Sequence, residues 1–486
     1  MKPLRRTSPP IYTNRILQFG EGNFLRAFAD WMVHEMNRKA DFDAGVVVVQ
    51  PIADGLIDLL NEQGGLYTLY QNGIKNGEVV SEHKLIDCIQ QAINPYEDYG
   101  AFLGQAENPD LRFVISNTTE AGISYHESDQ LTDQPQQSFP GKLTAFLYRR
   151  YQAFEGASDK GLIHIPCELI KHNGEKLKTL ILQYAEEWAL GDDFVNWLND
   201  HNVFCNTLVD RIVPGYPKDR MEAIQAELGY DDKLVTEGEQ FHLWVIEGPA
   251  MVQEEFPATQ CGLNVIFTDD MTPYRTRKVR ILNGAHTSMV PVGYLYGIDT
   301  VREAVEDAIV GQFIQEAIFT EICPTLDLPP DELRTFANDV LDRFRNPYLQ
   351  HALISISLNS VSKWKTRVLP SVLMYIKRKN EIPPRLCFSL AALLAFYRAD
   401  RNGAPIPLKD DQAVLAYFEK QWGLYDSGSL SLQVLVQDVL SKTEFWEQDL
   451  TQLQSFSETI TADLALILSK GMKESLKFHL HQSIAS

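Results

Sequence analysis

Lys278, Asn283 and His286 are the residues of this 486-residue chain whose types and spacing best suit chemistry. They lie in the run Tyr274-Arg275-Thr276-Arg277-Lys278-Val279-Arg280-Ile281-Leu282-Asn283-Gly284-Ala285-His286. On a helix advancing about 100° per residue they fall at roughly 0°, 140° and 80°. An amine, an amide and an imidazole would then share one surface. Lysine serves as acid or base near neutrality when burial or neighbouring positive charge lowers its pKa, and Arg275, Arg277 and Arg280 bring such charge close. The chemistry this suits is proton transfer to an oxygen. The competing reading is an amphipathic helix with a solvated basic face and a local Asn-Gly turn, and the run alone leaves both open.

Other elements must position a substrate and a cofactor for such a helix. Residues 15–19 read as a buried strand entering Gly20-Glu21-Gly22-Asn23-Phe24-Leu25, after which Phe24, Phe28, Trp31, Met32 and Met36 recur at helical spacing. Strand, glycine turn and helix open a dinucleotide-binding unit, the glycines letting backbone approach a pyrophosphate. Phe19, Gly20, Glu21, Gly22, Asn23 and Phe24 are the candidate contacts. Leu25 replaces the usual third glycine, and a plain strand-to-helix turn explains the residues nearly as well. Residues 45–50 are a β-branched run fit for a parallel strand covered on both faces. Gln50 ends it where Asp or Glu usually meets the ribose, with Asp54 the nearest carboxylate and no local arginine for a 2′-phosphate, which favours NAD over NADP.

Residues 111–116 give another strand, followed by Asn117-Thr118-Thr119-Glu120-Ala121-Gly122, either ligand groups at the carboxyl edge of the sheet or a polar turn. Residues 124–140 read as an exposed loop and 143–154 as a helix. A strand at 161–165 feeds Pro166-Cys167-Glu168-Leu169-Ile170-Lys171-His172-Asn173-Gly174, whose Asn-Gly pair is a turn or a catalytic amide. Val209-Asp210-Arg211-Ile212 could carry only a surface ion pair, and further strands are expected at 243–246 and 263–267. The fold class is α/β, with a Rossmann-like dinucleotide-binding domain over 1–272. A mainly α-helical substrate and catalytic domain is expected over 273–486, with helical patterns at 277–292, 301–319, 331–344, 349–377, 384–399, 411–421 and 458–480.

Asp and Glu outnumber Lys and Arg by 65 to 44, and the net charge of -21 argues against nucleic acid as a partner. A small anion in a local basic pocket stays compatible with it. No stretch approaches the roughly 18 uninterrupted apolar residues of a membrane helix. Met1–Pro10 has three basic residues with no apolar run behind them, so no secretory signal and a cytoplasmic location are expected. The six cysteines are far apart, which favours reduced thiols. His164-x2-Cys167 lacks the second half of a zinc pattern, so no metal is expected. Monomer and small homo-oligomer stay open.

In order and spacing these segments resemble the mannitol dehydrogenase family of long-chain polyol dehydrogenases along nearly the whole chain. The matching pieces are Phe19 to Ala27, Ser116 to Gly122, Cys167 to Gly174, Val209 to Ile212 and the Lys-x4-Asn-x2-His run Lys278 to His286. The resemblance implies a metal-independent, NAD-dependent secondary alcohol dehydrogenase. It makes Lys278 the general acid/base, Asn173 and Asn283 an amide pair stabilising the alkoxide, and His286 a substrate hydrogen-bond partner. Asp210, Arg275 and Lys363 would contact substrate. Gln18 to Phe28, Val47 to Ile52, Ser116 to His126, Ile281 to Thr287 and Arg343 to Tyr348 are similar to the hexuronate branch of that family. A small ketouronate or aldonate is therefore the expected partner. Arg275 stands where mannitol-type members commonly carry Glu three residues before the lysine, which favours an anion or is merely a solvated arginine. Lys363, Lys365 and Arg367 are the other candidates for its carboxylate. The alternatives are another ketouronate, mannitol or arabinitol as substrate, or a nucleotide-binding regulatory protein without catalysis.

Overall fold

β-Branched runs alternating with amphipathic helices build a parallel sheet, because parallel strands need crossovers that cover both faces. The structure, a computed structural model, describes residues 1–8, 11–75, 77–401 and 403–482, so Pro9 and Pro10 of the amino-terminal stretch and the last four residues lie outside it. The chain divides into two units, Met1–Gly73 with Val80–Met271 and Ile74–Val79 with Thr272–Ser486.

In the first unit the strands are β1 (Asn14–Phe19), β2 (Gly45–Val49), β3 (Tyr67–Lys75), β4 (Glu78–Ile86), β5 (Ile89–Ile93), β6 (Phe113–Ser116), β7 (Ile163–Pro166) and β8 (Val203–Phe204). A six-stranded sheet runs β5-β2-β1-β6-β7-β8, with every pairing parallel. This is the doubly wound order, and the direction of winding reverses between β1 and β6. Phe19, the last residue of β1, pairs with Val49 on one side and Ser116 on the other, so the glycine turn after it sits at the switch point. The two faces separate by alternation: Ile16, Val46, Val48 and Phe113 join one core, and Leu17, Phe19, Val47 and Val49 the other. The helix after the turn is broken at Phe28 (φ -125°, ψ -78°) into α1 (Asn23–Ala27) and α2 (Ala29–Lys39).

Strands β9 (Asn206–Asp210), β10 (Thr236–Glu239), β11 (Leu243–Glu247) and β12 (Val265–Thr268) enlarge the unit. One three-stranded sheet is β9-β11-β12 and another β10-β3-β4. Residues 67–93 carry no element in the sequence reading; for β4 the reason is that it is mostly exposed and polar, so it lacks the apolar alternation that marks a strand. Two helices flank the strand ends used below, α3 (Phe139–Ala153) and α4 (Asn173–Glu187).

The second unit is mainly helical. α5 (Thr272–Arg277) continues through a π-helical turn, Lys278–Asn283, into α6 (Gly284–Tyr296). α7 (Pro330–Phe344) follows. The 349–377 pattern is not one helix: α8 (Ser360–Arg367) and α9 (Leu369–Lys379) part at Val368, because Pro370 has no N–H with which to continue α8. α10 (Pro384–Phe396) is buried from Arg385 to Phe396, as its nearly unbroken apolar sequence requires. Among the described residues no helix is long and apolar enough to cross a membrane.

Candidate active site

The glycine turn divides its two glycines between two tasks. Gly20 has φ +117°, and a Cβ there would sit 2.9 Å from the Asn117 carbonyl oxygen, so the turn itself demands glycine. A Cβ on Gly22 would meet nothing within 4 Å, and the residue is exposed. The fold thus has no internal need for Gly22, whereas a pyrophosphate needs bare backbone at that point. Leu25, in the third glycine's place, is 1% exposed and belongs to the core.

Arg26 closes this turn, a role the sequence did not disclose. Its Nε donates to the Glu21 carbonyl at 3.0 Å, one Nη to Asn23 Oδ1 at 2.8 Å and the other to the Leu234 carbonyl. Burial pushes its guanidinium pKa down, opposed by Tyr67 and Asp30. Phe19, expected among the cofactor contacts, is instead a core side chain packed on Phe102 and Phe139; only its backbone reaches the site, accepting from Asn117 N–H at 3.0 Å. Phe24 is partly exposed. The Gln50 amide donates to the Ile52 and Ala53 carbonyls at 2.9 and 2.8 Å and so holds its own loop.

The carboxyl ends of β6 and β7 are joined by Glu168. Its Oε1 accepts from Thr118 N–H and hydroxyl, both at 2.9 Å, and its Oε2 from Ser116 Oγ at 3.0 Å. Burial raises its pKa, and these donors oppose the rise. Asn117 donates to the Cys167 carbonyl at 3.2 Å. Asn173 is bonded within the fold. It is fully buried, and its amide N–H groups donate to the Pro166 and Glu168 carbonyls at 3.0 and 3.1 Å. Its Oδ1 accepts from Gly174 and Thr207 N–H. Placed so, it fastens α4 to β7 and β9. Asp210 ends β9 at 6% exposure. Arg211 is no surface ion-pair residue: its guanidinium is buried over Trp31 and donates to the Glu239 and Ala27 carbonyls.

In the second unit the π turn changes the helical-wheel geometry. Its i→i+5 bonds widen the turn, so Lys278 and Asn283 come closer in phase than the roughly 140° of a regular α-helix. Gly284 packs closely beside it, where a Cβ would lie 3.1 Å from the Arg367 carbonyl oxygen. Lys278, Asn283 and Arg275 are all partly exposed. The Asn283 side-chain amide makes no hydrogen bond among the described residues, and its backbone carbonyl accepts from Thr287 Oγ1 at 2.8 Å. Arg277 pairs with Glu332 under Phe336 and Tyr274, and Arg280 donates to Ser371 Oγ at 3.0 Å. These two arginines have structural partners.

His286 packs against Phe344, ring centroids 4.2 Å apart, and its Nε2 is buried with no hydrogen-bond partner among the described residues. Burial first, then the charges of His351, Arg343, Arg367 and Lys363, hold its pKa well below the usual imidazole range. The ring is therefore neutral, within the field of a cluster of cations. Lys363 donates to the Ile356 carbonyl at 2.8 Å, and Arg367 has no ion pair or hydrogen bond from its side chain among the described residues. Lys365 is elsewhere, paired with Glu447 at 2.7 Å. Arg343 and His351 escaped the sequence reading, although Arg343 opens the motif Arg343-Phe344-Arg345-Asn346-Pro347-Tyr348. As for metal ligands, His172, Glu175 and Glu247 bring donor atoms within 4.8 Å of one another, but Asn206 Nδ2 already donates to both carboxylates at 2.8 Å.

Known proteins with this organisation are readily found. Residues 14–259 match the family description Mannitol dehydrogenase Rossmann domain, and residues 270–468 match Mannitol dehydrogenase C-terminal domain. An altronate oxidoreductase of Klebsiella pneumoniae (strain 342) is 50% identical over 480 residues, covering 98% of this chain and 99% of that one. One of Escherichia coli O1:K1 / APEC is 49% identical with the same coverage. Among solved structures, D-sorbitol dehydrogenase in substrate-free form superposes with a TM-score of 0.78 at 22% identity, covering 98% of this chain and all 100% of that one. Pseudomonas fluorescens mannitol 2-dehydrogenase, in a ternary complex with NAD and D-mannitol, superposes at 0.61, also at 22% identity, covering 97% and 95%. With a doubly wound sheet in its first unit, a helical second unit and both matches spanning most of its length, the chain belongs to the mannitol dehydrogenase family.

Proposed function

We propose that this chain acts as an altronate oxidoreductase, moving hydride reversibly between NADH and the ketone of tagaturonate to give altronate. The observation that carries the reading is the cationic group around neutral His286, because a hexuronate differs from a neutral ketose by a carboxylate that needs such charge. Full-length identity near 50% to altronate oxidoreductases points the same way. The first unit would hold the dinucleotide, with Gly20, Gly22, Asn23 and Phe24 at its phosphates and Glu21, Gln50, Asn117 and Thr118 at the neighbouring strand ends. The second would carry substrate and proton chemistry.

The nicotinamide supplies or accepts the hydride; the rest falls to the chain. Negative charge that grows on the carbonyl oxygen is stabilised by the uncommitted amide of Asn283, an effect often worth about 3 kcal/mol per donor. Lys278 delivers the proton to that oxygen in reduction and removes it in oxidation. His286 orients an adjacent hydroxyl, while Lys363 and Arg367 hold the carboxylate, with Arg275 and Asp210 as further substrate contacts. Asn173 and Glu168 act at one remove by fixing the strand ends. The deciding experiment is the initial rate of NADH oxidation with tagaturonate, fructuronate and fructose side by side, repeated with NADPH. Preference for tagaturonate with NADH is expected. Faster turnover of fructose would overturn the assignment of the carboxylate pocket.

A further inference from the structure

The second strand of the nucleotide unit ends without the carboxylate that ordinarily meets the adenosine ribose. Gln50 stands there, 2% exposed, with its amide nitrogen committed to its own loop. A carboxylate reaches the place from the neighbouring strand instead. Glu21, in the glycine turn, extends to Gly55: a Cβ on Gly55 would lie 2.3 Å from Glu21 Oε1 and 2.3 Å from Gln50 Oε1. Burial raises the Glu21 pKa, opposed by the backbone N–H groups of Glu21 and Leu56 and by the charge of Arg26, while Glu21 Oε2 is buried and has no hydrogen-bond partner among the described residues. Arg26 does not bond to this carboxylate, because its N–H groups go to the Glu21 carbonyl, Asn23 Oδ1 and the Leu234 carbonyl. Between Gln50 and Leu56 the one ionisable side chain is Asp54, again acidic.

We propose that Glu21 selects NAD over NADP, supplying from the glycine turn the negative charge that the end of the second strand lacks. The proposal rests on the nucleotide reading given above. A ribose 2′-hydroxyl brings the donor that Oε2 is without. A 2′-phosphate brings a charge of about −1.5 to −2 against a carboxylate that little water screens.

The test is the Kd of NADH and of NADPH by fluorescence titration of the full chain, wild type against Glu21→Gln, which keeps the size of the side chain and an acceptor for Leu56. NADPH should tighten about tenfold or more, with NADH changing less than about threefold. In the wild-type chain, 2′,5′-ADP should displace NADH about tenfold less well than ADP does. An unchanged ratio of the two affinities in a Glu21→Gln variant of wild-type melting temperature overturns the proposal. So does equal displacement by ADP and 2′,5′-ADP, a measurement that needs no variant. A wild-type chain that binds neither dinucleotide would instead bring down the nucleotide reading beneath it.

Discussion

Asn173 in the first unit and Asn283 in the second are both asparagines followed by glycine, and the fold treats them in opposite ways. Asn173 is buried with its amide donors committed to two strand-end carbonyls, whereas the Asn283 amide, beside a π turn, has no partner among the described residues. The contrast extends to their surroundings. Around Asn173, Glu168 is saturated by Ser116 and Thr118; around His286, Arg367 has no anion among the described residues and the imidazole lacks a partner for Nε2. Groups whose hydrogen bonds are complete position their neighbours, and groups left incomplete are the ones able to bind and react. A dipeptide cannot say which kind it is, because the partners lie elsewhere in the chain.

Four measurements break or sharpen this contrast. Lys278→Ala should lower turnover about a thousandfold while NADH affinity, read by fluorescence, stays near wild type; equal losses in both would deny Lys278 its chemical role. Arg367→Ala should raise KM for tagaturonate roughly thirtyfold, the worth of about 2 kcal/mol for a charge-assisted bond, and leave fructose kinetics alone. Asn173→Ala should cost about 2 to 3 kcal/mol in urea unfolding, since it orphans buried carbonyls and N–H groups. Were it instead to abolish turnover at unchanged stability, Asn173 would rejoin Asn283 as a substrate ligand.

The smallest effect concerns pH. The folded protein holds the His286 pKa below its unfolded value, so below about pH 6.5 the unfolded chain binds a proton that the folded chain resists. Stability contributed by neutral His286 is therefore present above that pH and lost as pH falls. The slope contributed by one such group is at most about 1.4 kcal/mol per pH unit, and urea melts at successively lower pH should be shallower in their pH dependence for His286→Gln. Buried His164, with its pKa pushed down to about 3, contributes in the same direction from the first unit and remains as a background slope.

The glycine turn, the strands at its sides and the helical second half were legible because each rests on local pattern: glycine where φ is positive, β-branched runs in a two-sided sheet, apolar periodicity in helices. The joint presence of Lys278, Asn283 and His286 was legible too, but their phase was not, since a shift from i→i+4 to i→i+5 bonding leaves no mark in residue type. Phe19 could not be assigned to the core rather than the cofactor, because alternation decides a side chain's face only once the strand's partners are known. Arg26, Glu168 and Arg343 went unassigned for a related reason: their roles are defined by residues far along the chain.

That distance has a consequence for how the protein is made. Arg26 bonds to the carbonyl of Leu234, and Arg211 reaches back to the carbonyl of Ala27, so the first turn of the chain is finished by segments that leave the ribosome long after it. Closing a loop of this length carries an entropic cost that grows slowly with length, yet it cannot be met at all before residue 234 exists. Nascent chains shorter than this are expected to hold an unfinished turn, and protease cutting near Gly22 on stalled nascent chains should fade only once the segment through Glu239 has emerged.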